Sequence, residues 1–253
     1  MQVRATVAYD GGPFHGFAVN RGVRTVGGEL TDALTRCLRQ PVEVTCAGRT
    51  DTGVHAWGQV VSFAAPDHAD LPTARTAVNR MLAPAIAIRS IEPAPAGFDA
   101  RFDAISRTYR YSVFNQDVHH PFLAATAWHQ PDPLDIGAMN EGADAVVGEH
   151  DFSSFCRRQH TADGAEKSRV RTVKRASWSS GDGALVRFEI EASSFCHQMV
   201  RALTGALVDI GRGRRPPHAM ATMLAARDRA GVPTLAPPHG LCLWSVSYEG
   251  FSS

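Results

Sequence analysis

No stretch of this chain approaches the roughly 20 consecutive apolar residues that a bilayer-spanning helix needs. The opening residues, Met1-Gln2-Val3-Arg4, run straight into a strand-like alternation, not into the charged, apolar and small-residue order of a signal peptide. Cytoplasmic residence is the expectation. Also missing are a G-x-G-x-x-G turn and a phosphate-cradling P-loop, so a nucleotide cofactor has no support. The five cysteines (Cys37, Cys46, Cys156, Cys196, Cys242) are odd in number, widely scattered and never spaced C-x-x-C. Neither a zinc site nor a disulfide framework is expected from them, and Cys37 falls on an apolar helix face. The pair His119-His120 precedes Pro121 without a companion carboxylate or thiol, so no metal is expected there either.

What is present is an ordinary globular composition, 44% hydrophobic and 20% charged over 253 residues, enough for one large domain or two small ones. The formal net charge is only +1, but the charge is unevenly spread. Between residues 157 and 175 lie seven basic side chains (Arg157, Arg158, Lys167, Arg169, Arg171, Lys174, Arg175) against Asp163 and Glu166. Arg212, Arg214 and Arg215 form a second cluster. Arginine outnumbers lysine 24 to 2, which suits bidentate recognition of phosphate and equally fits a compositional bias without physical meaning. A basic run is either a solvated face or a nucleic-acid footprint.

Apolar periodicity predicts strands at 3–9, 42–46, 58–63, 86–92, 107–114, 170–177, 184–191 and 241–248. It predicts helices at 26–38, 73–81, 135–147, 197–210 and 218–227. In the 26–38 segment Val26, Leu30, Ala33, Leu34, Cys37 and Leu38 share one helical face. Strands and helices mix in each half in the manner of α+β layers, not a doubly wound parallel sheet. The break near residues 93–107 divides the chain into 1–105 and 106–253. The polar run Gln159-His160-Thr161-Ala162-Asp163-Gly164 within 157–169 is expected to form a long mobile loop.

The densest chemistry lies in Ala47-Gly48-Arg49-Thr50-Asp51-Thr52-Gly53-Val54-His55-Ala56, between two strand-like segments. A connector needs only two or three turn-forming residues. This one adds an arginine, two threonines, a carboxylate and a histidine. Its glycines let a large ligand approach closely. Asp51 is the candidate reactive group, with an Asx-turn that merely caps its own backbone as the plain alternative.

Gly48-Arg49-Thr50-Asp51 resembles the G-R-T-D loop of the TruA family of tRNA pseudouridine synthases, in which the aspartate is essential. Further blocks resemble the family in the same order. They are Tyr9-Asp10-Gly11-Gly12-Pro13-Phe14-His15-Gly16-Phe17, Ala100-Arg101-Phe102-Asp103-Ala104 with Arg107-Thr108-Tyr109-Arg110-Tyr111, and Asp151-Phe152-Ser153-Ser154-Phe155. Phe195-Cys196-His197-Gln198-Met199-Val200-Arg201 and Gly240-Leu241-Cys242-Leu243 follow. Two departures, Phe17-Ala18 for Trp-Gln and Asp99 where histidine is common, touch only local packing and RNA contacts. The resemblance implies two similar ferredoxin-like α/β halves with joined antiparallel sheets and a central cleft. It implies a homodimer that converts uridine to pseudouridine at positions 38, 39 and 40 of tRNA, without metal or cofactor. It assigns Asp51, Tyr109 and Arg201 to catalysis, and Arg49, Thr50, Tyr109 and Leu241 to the substrate. In this reading the Arg201 guanidinium keeps Asp51 ionised against desolvation, the Tyr109 ring stacks on the extruded base, Leu241 packs against it and Arg49 fills the gap it leaves. Tyr111 shares the sheet face of Tyr109, so a core role for either is the alternative. The rival from another class is a non-catalytic RNA-binding module.

Overall fold

The computed structural model of the protein describes residues 1–160, 164–232 and 234–253. In chain order the elements are β1 (Gln2–Tyr9), α1 (Val26–Leu38), β2 (Thr45–Cys46), β3 (His55–Ala64), α2 (Leu71–Leu82) and β4 (Ile86–Pro93). Then come β5 (Ser106–Asn115), β6 (Trp128–Gln130), α3 (Ile136–Asp144), β7 (Gly148–Asp151), β8 (Val170–Ser180) and β9 (Leu185–Ala192). The chain closes with α4 (Met199–Gly211), α5 (Ala219–Ala226), β10 (Leu241–Tyr248) and β11 (Phe251–Ser252). The α+β class read from the sequence is what these elements form, with mostly antiparallel pairing. Among the described residues no helix is long and apolar enough to cross a membrane.

Two compact units emerge, Met1–Arg107 with Cys242–Ser253, and Thr108–Leu241. In the first, β1 lies between β4 and β3, antiparallel to both, and β2 adds antiparallel to β3. The strand–helix–strand–strand–helix–strand order with β4-β1-β3-β2 pairing is the ferredoxin-like arrangement. β2 occupies only one end of its β3 edge, at Ser62 and Val61; β10 pairs parallel with the other end, at His55 and Ala56. The loop that carries Asp51 springs from the interval between them.

Helix α1 begins where Thr25 Oγ1 accepts the Gly28 N–H, and α2 where Asp70 does the same for Thr73, with proline in its first turn. The apolar stripe foreseen for α1 is buried at Val26, Leu30, Ala33 and Leu34. Cys37, expected in the core with them, is only half-buried.

In the second unit β5, β9, β8 and β7 form a sheet in that order, with β6 parallel to β5. Here too a helix, α3, follows the first strand, a hairpin of β8 and β9 comes next, and α4 follows the hairpin. Tyr111, Phe152, Phe155, Phe188, Ile190 and Met139 fill the core. Every residue of α4 except Arg201 is buried. Gly205 has no room for a side chain, since a Cβ there would overlap the Thr234 carbonyl oxygen. Cys156 and Cys196 are joined by a disulfide across 40 residues, with Cα atoms 5.7 Å apart. A single bridge is not a disulfide framework, and no linear spacing marks it, since its partners meet only after folding. Of the stretch expected to be a mobile loop, Thr161, Ala162 and Asp163 lie outside the described residues. Its flanks are tied by a bridge between His160 and Glu166, and Lys167 donates its N–H to the Gln159 carbonyl.

Candidate active site

The Asp51 loop is fastened to the first unit along its length. At its start, Arg107, 9% exposed, donates through Nε and Nη2 to the Ala47 carbonyl at 3.2 and 2.9 Å, while Nη1 reaches the Ala104 carbonyl and Nη2 also the Arg101 carbonyl. A planar five-donor fork suits such multiple capture where lysine would not. Next, the fully buried Gln59 brackets Gly48, donating to its carbonyl at 2.6 Å and accepting its N–H at 3.3 Å. Gln59 also donates to the Tyr9 hydroxyl at 3.3 Å, and that hydroxyl shares a 2.8 Å hydrogen bond with Thr50 Oγ1.

The Tyr-Asp-Gly-Gly block supplies the other clamp. Phe17 N–H donates to the Thr50 carbonyl at 3.1 Å, and Gly16, at φ +87°, leaves only 2.8 Å between that oxygen and any added Cβ. Gly11 is more cramped still, a Cβ there overlapping the Val54 carbonyl, and its N–H donates to His55 Nδ1 at 3.1 Å. Asp10 Oδ1 lies 3.1 Å from the same His55 nitrogen. The Asp51 carbonyl accepts the Val54 N–H at 3.1 Å, closing a turn that uses a positive φ of 76° at Gly53. Thr50 is thus buried, Asp51 half-buried and Arg49 exposed. Burial, opposed chiefly by the Arg49 charge, pushes the Cys46 thiol just ahead of the loop up to about 11.

Asp99, one of the two departures, serves its own turn, where its carboxylate accepts the Arg101 and Phe102 N–H groups at 2.7 and 2.9 Å. Phe17, the other, packs on Tyr9 with ring centres 6.2 Å apart.

Tyr109, Arg201 and Leu241 belong to the second unit. Tyr109 meets Phe195 edge-to-face at 5.1 Å. Arg201 Nε donates to the Ala236 carbonyl at 2.7 Å, and Ala236 N–H returns a bond to the Arg201 carbonyl at 3.1 Å. Tyr111 takes the core role: fully buried, it donates to the Pro237 carbonyl at 2.8 Å and abuts Gly240. Burial raises its hydroxyl well above the usual range, against the opposing charge of Arg201. Just before α4, Gln198 holds a positive φ of 67° and accepts from Arg229 at 2.7 Å. A non-glycine residue held there marks a backbone over-determined by its surroundings.

The basic clusters are more balanced than a linear count suggests. Arg175 pairs with Glu189 at 2.7 Å, Lys174 with Glu191 at 3.9 Å, and Arg169 with Glu166 at 3.0 Å. Arg212 pairs with Asp132. Most of these carboxylates sit on a neighbouring strand or loop, out of reach of a windowed sum.

Tyr9, Gln59 and Arg107 are the residues that reading for catalytic groups passed over. Gln59 had one signal: a carboxamide at the head of the mostly apolar run Val60-Val61-Ser62-Phe63.

The family of tRNA pseudouridine synthases matches residues 5–103 and 143–249. The tRNA pseudouridine synthase A of Frankia casuarinae is 44% identical over 252 residues, covering 98% of this chain and 89% of that protein. The tRNA pseudouridine synthase A of Geobacillus kaustophilus is 40% identical over 250 residues, 98% of this chain and 95% of its own. A crystal structure of an archaeal box H/ACA sRNP Nop10-Cbf5 complex aligns with 82% of this chain at 13% identity and a TM-score of 0.35, this chain spanning 44% of that one, a likeness too distant to bear on the fold. The chain belongs to the tRNA pseudouridine synthase family.

Proposed function

We propose that this protein isomerises uridine to pseudouridine in tRNA, acting in the cytoplasm as a homodimer on positions 38, 39 and 40 of the anticodon stem-loop, with Asp51 as the working carboxylate. Family membership supports the reaction and the substrate class. The observation that carries the assignment of Asp51 is the density of bonds fixing its loop: Arg107, Gln59, Tyr9, Phe17 and Gly11 each hold a different part of it. A connecting turn needs none of this, whereas a group that must meet one ribose carbon does.

The reaction breaks the bond between N1 of uracil and C1′ of ribose, turns the base, and joins C5 to C1′. The C5 proton leaves and N1 gains one, so neither oxidation nor phosphate transfer is involved. An ionised carboxylate beside the sugar serves either route, by attacking C1′ or by removing the C2′ proton to give a glycal. Arg201 supplies the permanent positive charge that favours the ionised acid, Tyr109 a ring for the base and a hydroxyl for the C5 proton. Leu241 offers an apolar contact to the base, the exposed Arg49 stands beside the carboxylate where substrate can reach it, and the buried Thr50 serves the substrate by holding its neighbour Asp51. The basic clusters would serve a module that only binds RNA equally well, and the roles given to Asp51, Tyr109 and Arg201 are what separate the two readings.

Mapping pseudouridine in tRNA from cells with and without this protein tests the proposal. Loss at positions 38 to 40, restored by the wild-type gene, is the expected outcome. An unchanged map would refute it.

A further inference from the structure

We infer that Gln59 and Tyr9 are positioning residues that hold the Asp51 carboxylate in register through Gly48 and Thr50. The inference rests on the reading of Asp51 given above. Gln59 lies on β3 with 0% exposure, among apolar or small neighbours. A buried carboxamide is stable only where its donors and acceptor find partners, and an apolar residue would fill the same space without that demand. The hydrogen bonds of the Gln59 side chain lead towards the loop. Its oxygen and nitrogen grip the two backbone groups of Gly48, at 3.3 and 2.6 Å, and its nitrogen also donates to Tyr9. Because Tyr9 accepts from Gln59, the phenol proton can point at Thr50 Oγ1, 2.8 Å away.

Thr50 is the residue immediately before Asp51. Its side chain is held by Tyr9 and its carbonyl by the Phe17 N–H at 3.1 Å. Two independent attachments on one residue fix the peptide plane from which Asp51 projects. Gly48 is anchored three residues earlier, so the two glycine-flanked ends cannot pivot the carboxylate. The chain Gln59–Tyr9–Thr50 is thus a rigid strut from the sheet to the reacting group. Supporting shells of this kind are what keep a catalytic group within about 0.5 Å of its productive place.

The test uses the full-length protein with a whole tRNA substrate labelled with tritium at C5 of uridine. Tyr9→Phe deletes one oxygen, and Gln59→Leu removes the carboxamide while keeping an apolar side chain of similar size. We expect kcat to fall by about 10- to 100-fold, the scale of a small misplacement of a reacting group, with KM little changed and the melting temperature lowered by a few degrees only, as the loss of buried hydrogen bonds requires. The double variant should lose little more than the worse single one, because both act along one chain of bonds. Wild-type kcat in both single variants would overturn the inference. So would a loss of kcat no larger than the unfolded fraction that the melting curve gives at the assay temperature, the pattern of general unfolding. If Gln59→Leu does not fold, Tyr9→Phe alone decides. Asp51→Asn run alongside separates the two claims. If it is inactive while Tyr9→Phe and Gln59→Leu turn over normally, only the positioning role is lost; if it is fully active, the assignment of Asp51 fails and the positioning role with it.

Discussion

Replacing Gly16 with alanine perturbs the Asp51 loop from outside, through the Thr50 backbone, without altering any side chain proposed to meet the substrate. Gly16 holds φ +87°, and an added Cβ would sit 2.8 Å from the Thr50 carbonyl oxygen and 3.4 Å from the Asp51 carbonyl carbon. A left-handed backbone costs an L-residue about 1–2 kcal/mol. A carbon–oxygen contact relaxes near 3.3 Å, so the Thr50 carbonyl must retreat by about 0.5 Å. That retreat stretches its 3.1 Å bond from Phe17 N–H, worth about 1 kcal/mol. The sum is about 2–3 kcal/mol, which for a protein of this size lowers Tm by about 5–10 °C. The same half-ångström is delivered to the residue before the working carboxylate, so kcat should fall by about 10-fold or more in excess of any unfolded fraction. Calorimetry and C5 tritium release on one preparation read both effects. A Gly16→Ala protein with wild-type Tm and kcat would refute the claim that this block braces the loop.

Gly205→Ala tests the second unit: with its Cβ overlapping the Thr234 carbonyl, it should cost about 2 kcal/mol or more, visible as a lower urea midpoint. Acid stability should depend on Asp151, whose carboxyl is held below the usual range chiefly by the Ser153 hydroxyl at 2.5 Å, against the opposing effect of burial. A depressed folded pKa contributes stability that is present above the unfolded value of about 3.9 and is lost as pH falls through the folded one. Ser153→Ala should therefore lower stability at pH 6 and flatten its decline below about pH 4; an unchanged pH profile of the urea midpoint would count against it.

Local rules carried much of the fold and part of the site. The span of α1 was legible to the residue from its one apolar stripe, and the structure bounds it with a capping Thr25 and a left-handed Arg39. β2 was over-read: Val42, Glu43 and Val44 have strand-like composition, but only Thr45 and Cys46 find a partner on β3. β6 and β7, three and four residues long, are too short to show periodicity. The Cys156–Cys196 bridge and the pairing of Arg175 with Glu189 depend on tertiary proximity, which no local window contains. Asp51 stood out because its loop carries more chemistry than a turn needs. Gln59 and Arg107 did not, because a residue that acts through another's backbone looks like any polar residue until its partners are seen.

The central claim is that one carboxylate, Asp51, performs the isomerisation. It is tested most directly by C5 tritium release from labelled tRNA by Asp51→Asn, a change that keeps size and shape but removes the charge. The account predicts a folded protein that still binds tRNA and releases no tritium. Release at the wild-type rate would contradict it.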